Sequence, residues 1–260
     1  LLRVEEPLYK TLAEVCVDSM ESAIAAAEGG ASRIELCSAL SEGGLTPSPG
    51  TLLTLKRDLY IKIPIYCMLR PRQCNDFVYS HWDMIGILHD LNLLKKIGAD
   101  GFVFGALTPS RQLNIEQCAA VVKAAKDLPV TFHRAFDVTP KEDMITTGKL
   151  VASLGFQRIL TSGLERTAEL GRSNIKELIE SCPDIIIMPG CGIVPGNLES
   201  ILRFTRCVEF HASAKKSKAQ PCPDLSMEHQ KNDPPYVTDA GIVKELIGIA
   251  KTVSVSISSD

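Results

Sequence analysis

The chain has 260 residues, with hydrophobic residues at 45% and charged residues at 23%, which fits a folded α/β protein and excludes a disordered one. Lys and Arg total 28 against 31 Asp and Glu, for a net charge of −3, so no basic footprint for nucleic acid or an anionic membrane is present. No uninterrupted apolar stretch reaches the ~20 residues of a membrane-spanning helix, and the opening LLRVEEPLYK lacks the zones of a signal peptide.

Short apolar runs alternate with longer helical patterns throughout, the signature of repeated βα units. The runs predict strands over 12–17, 33–37, 63–69, 101–105, 130–134, 158–161, 185–188 and 207–211. Helical periodicity falls between them, over 20–28, 52–59, 85–97, 115–126, 142–153, 174–182 and 198–204, and 242–251 closes the series. Asp18 or Ser19 can cap the first helix and Asp239 the last. The segments G-G-A-S, I-G-A-D and L-G-F-Q each place Gly between a helix and a strand, where a positive φ is common. Eight fairly even units without a domain break predict a single (β/α)₈ TIM barrel over 1–260, with an N-terminal extension over 1–11. Two connections are long. One spans 70–81; the other, 212–238, carries Lys215, Lys216, Lys218 and four prolines, and reads as a solvated, mobile segment.

Side chains alternate along a strand, so Glu14, Cys16 and Asp18 share one face, as do Arg33, Glu35 and Cys37, Tyr66, Met68 and Arg70, and Glu209 and His211. The fifth strand runs into Phe132-His133-Arg134-Ala135-Phe136-Asp137. Closure makes the first and last strands neighbours, which clusters the acids and makes Arg70 and Arg134 their expected counterions. Such charges can form an ion-paired plug that holds register. Their repetition on five strands instead favours a ligand site at the C-terminal mouth. As an enzyme site it would offer Glu14, Glu35, Arg70, His133, Arg134, Glu209 and His211, with Glu14 and Glu35 as acid and base and the arginines clamping a small phosphorylated or carboxylated metabolite. Gly190, Gly192, Ser213 and Lys215 follow the seventh and eighth strands, where many barrels bind anions.

The cysteines number nine, scattered and without a C-x-x-C pair, so they suggest neither a disulfide framework nor a zinc site. Reduced thiols point to a cytosolic or nuclear compartment. Cys16 and Cys37 end adjacent strands. On residue chemistry alone they are either inert packing or soft ligands suited to Cu(I). Cys67 has the opposite parity to Met68 and is expected to face the helices.

The segments E-V-C-V-D-S (14–19), R-I-E-L-C-S-A-L-S-E-G-G-L-T-P-S (33–48), M-L-R-P-R (68–72) and D-F-V-Y-S (76–80) resemble the CutC copper-homeostasis family. The resemblance continues through G-A-D-G-F-V-F-G-A-L (98–107), V-T-F-H-R-A-F-D (130–137), R-I-L-T-S-G (158–163), I-M-P-G-C-G-I (187–193) and E-F-H-A-S-A (209–214). It implies a cytoplasmic and nuclear barrel, a homo-oligomer (dimer or tetramer), and Cu(I) as the bound ion with Cys16 and Cys37 as its metal ligands. Three positions depart from the family pattern. Gln73-Cys74-Asn75-Asp76 replaces a Gly-Gly-Asp segment, Cys191 replaces a glycine where a positive φ would be strained, and Lys215 replaces an arginine. Cys74 and Cys191 thereby add two thiols near the mouth.

Overall fold

Eight parallel strands form one sheet: β1 (Leu12–Val17), β2 (Arg33–Leu36), β3 (Ile65–Met68), β4 (Gly101–Phe104), β5 (Val130–Phe132), β6 (Arg158–Thr161), β7 (Ile186–Pro189) and β8 (Glu209–Ala212). Their order is β7-β6-β5-β4-β3-β2-β1-β8. Because β7 and β8 also lie against each other, the sheet curls into a nearly closed barrel whose one seam lacks a hydrogen-bonded ladder. This computed structural model describes residues 11–218 and 236–258. The expected N-terminal extension other than Thr11, and most of the loop over 212–238 with Cys222, lie outside the described residues.

The helices are α1 (Met20–Glu28), α2 (Pro49–Leu53), α3 (His81–Ile97), α4 (Ile115–Ala125), α5 (Met144–Ser153), α6 (Arg172–Ser181), α7 (Pro195–Thr205) and α8 (Ala240–Ser258). Local chemistry accounts for their ends. Ser19, not Asp18, caps α1, its hydroxyl accepting from the Ser22 N–H at 3.1 Å; the Asp18 carboxylate instead accepts from the Leu40 N–H. α3 starts four residues before the expected point because Ser80 and Asp83 form a reciprocal capping box. Gly98 and Gly155 follow α3 and α5 at φ +113° and +95°, a region that side chains other than glycine's enter only with strain. The expected helix over 52–59 is the short α2 continued by a wider π-type turn at Thr54–Asp58. After β8 a small antiparallel hairpin forms, β9 (Lys215–Ser217) with β10 (Tyr236–Thr238).

Strand alternation divides the core in two. Ala13, Val15, Val17, Ile34, Leu36, Phe102, Phe104, Phe132 and Phe210 lie in the apolar layer between sheet and helices, and Cys67 joins them as its parity required. Each fully buried Val, Leu, Ile or Phe side chain here contributes about 1.5–3 kcal/mol of transfer free energy, so this layer carries the fold. The inward face is different. Its apolar content includes a small separate cluster of Cys37, Tyr66, Met68 and Val103, with Leu160 and Met188 also buried, and charged and polar groups share the rest of the bore.

Candidate functional site

A belt of ion pairs crosses the lower bore. Arg33 opens β2 directly beside Glu14 of β1 in the parallel register. Its Nε donates to Glu14 Oε2 and its Nη2 donates to Glu209 Oε2 at 2.5 Å, while Arg158 Nε reaches the same Glu209 oxygen at 3.1 Å. Both guanidinium groups lie over the Tyr66 ring, with Cζ to centroid distances of 4.8 and 5.3 Å. Burial alone would raise the Glu14 pKa, but the Arg33 charge and His211 outweigh it and hold the carboxyl at about 2.

This arrangement corrects two expectations. The counterions of the barrel glutamates are Arg33 and Arg158, not Arg70 and Arg134: Arg70 binds backbone carbonyls, and the half-exposed Arg134 pairs with Asp137 at 2.7 Å. The belt is also not at the mouth, since Arg33, Arg158 and Glu209 are the first residues of their strands. Parity assigns a side chain to a face but says nothing of its height along the bore. The signal for Arg33 and Arg158 was nonetheless present, because each shares the parity of inward neighbours on its own strand.

A second group sits above the belt. His211 is paired with Glu14 in the β1–β8 register, and its Nδ1 lies 2.8 Å from Glu14 Oε1. Its Nε2 is turned toward Glu35, 3.7 Å from Oε2. The Cys16 sulfur, a Glu35 carboxylate oxygen and a His211 ring nitrogen all lie within 4.8 Å of one another, and all three residues are buried. The Cys37 thiol lies outside that triplet but donates to Glu35 Oε2 at 3.7 Å. Burial works against a charged His211, yet Glu35, Cys16 and Glu14 keep its pKa well above the ordinary value. Burial pushes Glu35 up to about 7 against the pull of His211. The Cys37 thiol is also pushed well up, by burial and then by Glu35. Gly44 closes over this group: a Cβ there would come 3.0 Å from Cys37 Sγ and 3.6 Å from Met68 Cε.

The remaining candidates are dispersed. His133 follows β5, buried, with Nδ1 accepting from the Ala135 N–H at 3.2 Å. Gly190 does not present a free N–H, since it donates to Thr161 O at 2.9 Å. Its small size is a packing requirement, as a Cβ would meet Leu160 Cδ1 at 2.4 Å and His211 Cβ at 3.2 Å. Gly192 accepts from Asn197 through its carbonyl, and Ser213 from Thr238 through its own. Lys215 is exposed in the hairpin, its Nζ 4.4 Å from the Tyr236 ring centroid. Cys191 does adopt φ +77°, and its thiol donates to Arg166 O. Cys74 is half-buried, with its carbonyl on Arg70. Among the described residues neither thiol joins the Cys16 triplet.

The model of the CutC family matches residues 11–216. The chain belongs to the CutC family. A Drosophila melanogaster relative, the copper homeostasis protein cutC homolog, is 51% identical over 93% of this chain and 95% of its own length. The human protein of the same description is 42% identical over 94% of this chain and 90% of its own. The crystal structure of CutC from Streptococcus agalactiae superposes with a TM-score of 0.74 at 31% identity, covering 78% of this chain and 98% of that one. In CutC terms the triplet and the belt are therefore parts of one barrel bore. No helix among the described residues of this CutC chain is long and apolar enough to cross a membrane.

Proposed function

We propose that this protein serves copper homeostasis by holding Cu(I) in the upper bore, in the cytoplasm and nucleus, as a homo-oligomer that buffers or passes on the ion. The observation that carries the reading is the buried convergence of Cys16, Glu35 and His211 within 4.8 Å. Sulfur and imidazole nitrogen are the donors a soft cation selects. Cys16 and His211 supply both, and Cys37 adds a second thiol on the neighbouring strand. Met68 lies on the same side, beneath Gly44. The names of the animal relatives support the same reading, and the free cysteines among the described residues suit a reducing compartment. Competition for Cu(I) against a chelator under reducing conditions tests it. The wild type is expected to take up one ion tightly, and Cys16→Ser/Cys37→Ser to lose it; equal uptake by both proteins would sink the assignment.

A second reading, an enzyme acting on a small phosphorylated or carboxylated metabolite, has its own support. Glu35 Oε1, Thr131 Oγ1, His133 Nε2, Arg70 Nε and Arg158 Nη1 are buried polar atoms without a partner among the described residues. Native proteins leave few such atoms, and several within one barrel suit a ligand. A thermal-shift screen of small anionic metabolites checks this reading, and a flat response across the screen argues against it.

A further inference from the structure

Above the Cys16–Glu35–His211 group, the ends of β3 and β5 carry two buried donors that no group among the described residues satisfies. Arg70 is 4% exposed and His133 is 3% exposed. The Arg70 Nη atoms donate to the carbonyls of Glu42, Gly44 and Cys74 at 2.7–3.0 Å, which fixes the guanidinium plane and leaves Nε free. Among the described residues no carboxylate lies within 4.0 Å of this guanidinium. The other two buried arginines, Arg33 and Arg158, both have glutamate partners. A buried cation without a counterion is costly, and the cost is relieved when an anion binds.

His133 completes the pair. Its Nδ1 accepts from the Ala135 N–H, so the neutral ring carries its proton on Nε2, and that N–H has no acceptor. Gly105 lies between the two residues in the sheet and must remain small, since a Cβ there would come 2.7 Å from His133 Nδ1. Phe77 touches both, its ring centroid 5.0 Å from that of His133 and 5.7 Å from Arg70 Cζ. It holds φ at +53°, the left-handed region that residues other than glycine enter only with strain. Its chain neighbours Asp76 and Val78 line a cleft of about 730 Å³ together with Thr108, Arg111 and Val138. Phe77 thus packs on both donor residues while its chain neighbours border the cleft.

We propose that Arg70 Nε and His133 Nε2 recognise the carboxylate or phosphate group of a small molecule entering past Phe77, at a subsite over β3–β5 and not over the β7–β8 loops. The proposal rests on the second reading above and is independent of copper. It also replaces the sequence-based clamp of Arg70 with Arg134 by Arg70 with His133. Two buried N–H groups, one on a charged and one on a neutral side chain and both beside the same Phe77 ring, suit an oxyanion, which accepts charge-assisted bonds from each.

The test is calorimetric titration of copper-free full-length protein with inorganic phosphate and, separately, acetate. It is carried out on the wild type, Phe77→Ala, Arg70→Lys and His133→Phe, with circular dichroism melts confirming that each is folded. Arg70→Lys keeps the charge and removes Nε; His133→Phe keeps the ring and removes the donor. Saturable binding of either anion by the wild type or by Phe77→Ala, weakened at least about tenfold by each donor substitution, is the expected result. No saturable binding of either anion by wild type and Phe77→Ala overturns the proposal. Binding that survives either donor substitution unchanged overturns it as well. Preference between the two probes distinguishes a phosphoryl from a carboxylate ligand. The titration reads binding and not turnover, so its failure removes the subsite, whereas a flat metabolite screen alongside intact anion binding retires the enzyme reading alone.

Discussion

Replacing Arg33 with Met isolates the energetics of the lower belt. Met roughly preserves the aliphatic bulk of Arg33 but deletes the guanidinium that bonds Glu14 and Glu209. Glu209 keeps Arg158 at 3.1 Å, and Glu14 keeps only His211 at 2.8 Å. Removing one partner of a buried network leaves an uncompensated charge and costs about 3–5 kcal/mol. The Glu14 pKa leads to a similar figure. Its fall from the ordinary 4.5 to about 2 corresponds to about 3 kcal/mol, of which Arg33 is the largest favourable cause. A folded pKa below the unfolded one means this contribution is present above pH 4.5 and is lost as pH falls toward 2. Urea unfolding of wild type and Arg33→Met at pH 7 and again near pH 3 is the assay. The expected result is a loss of about 3–5 kcal/mol at neutral pH that narrows in acid, with substantial recovery in Arg33→Met/Glu14→Gln. A loss below about 1 kcal/mol, or a double variant no better than the single, would refute the claim that these pairs are held out of water.

His133→Phe should alter the pH dependence of stability as well as anion binding. Burial and then Arg70 lower the His133 pKa from 6.5 to about 3, so the unfolded chain takes up the proton first and stability is lost as pH falls from 6.5. Glu35, raised to about 7, acts in the opposite direction over part of the same window. The discriminating quantity is therefore the wild type minus variant difference, which should change by about 1.4 kcal/mol per pH unit between 6.5 and 4.5; a pH-independent difference in equilibrium unfolding would count against a buried neutral ring. Gly101→Ala should cost about 1–3 kcal/mol, since the new Cβ would come 2.7 Å from Tyr66 ring carbons and displace the ring on which both belt arginines lie. An unchanged melting temperature would show that Tyr66 has room to move.

Much of the barrel was legible in the order of residues because its determinants are local. Apolar runs of strand length, the Ser19 cap and the glycines after α3 and α5 depend on neighbours within a few positions, and β1 and β6 match their expected bounds. Parity likewise assigned Glu14, Cys16, Glu35 and His211 to one face, and closure of the first strand on the last placed them in one neighbourhood. Segment ends were less legible where a non-local contact decides them. The chain leaves the strand after Phe132 for a 3₁₀ turn at Arg134–Val138, where Asp137 gathers Arg134, Ser162 and Leu164.

What tertiary structure alone decided is height and partnership within the bore. Arg33, Arg158 and Glu209 sit low because they open their strands, and which guanidinium meets which carboxylate depends on the stagger of strands up to 176 residues apart. Charge pairing is a matter of a few ångströms, and a one-dimensional pattern does not encode those distances. The same reasoning separates the two arginines that the sequence presented alike: Arg70 is drawn under the loop at Glu42–Gly44 without a counterion, while Arg134 turns outward to Asp137. The thiol of Cys16 was visible from the start as an inward strand residue. Its place beside Glu35 and His211 exists only because β8 closes on β1.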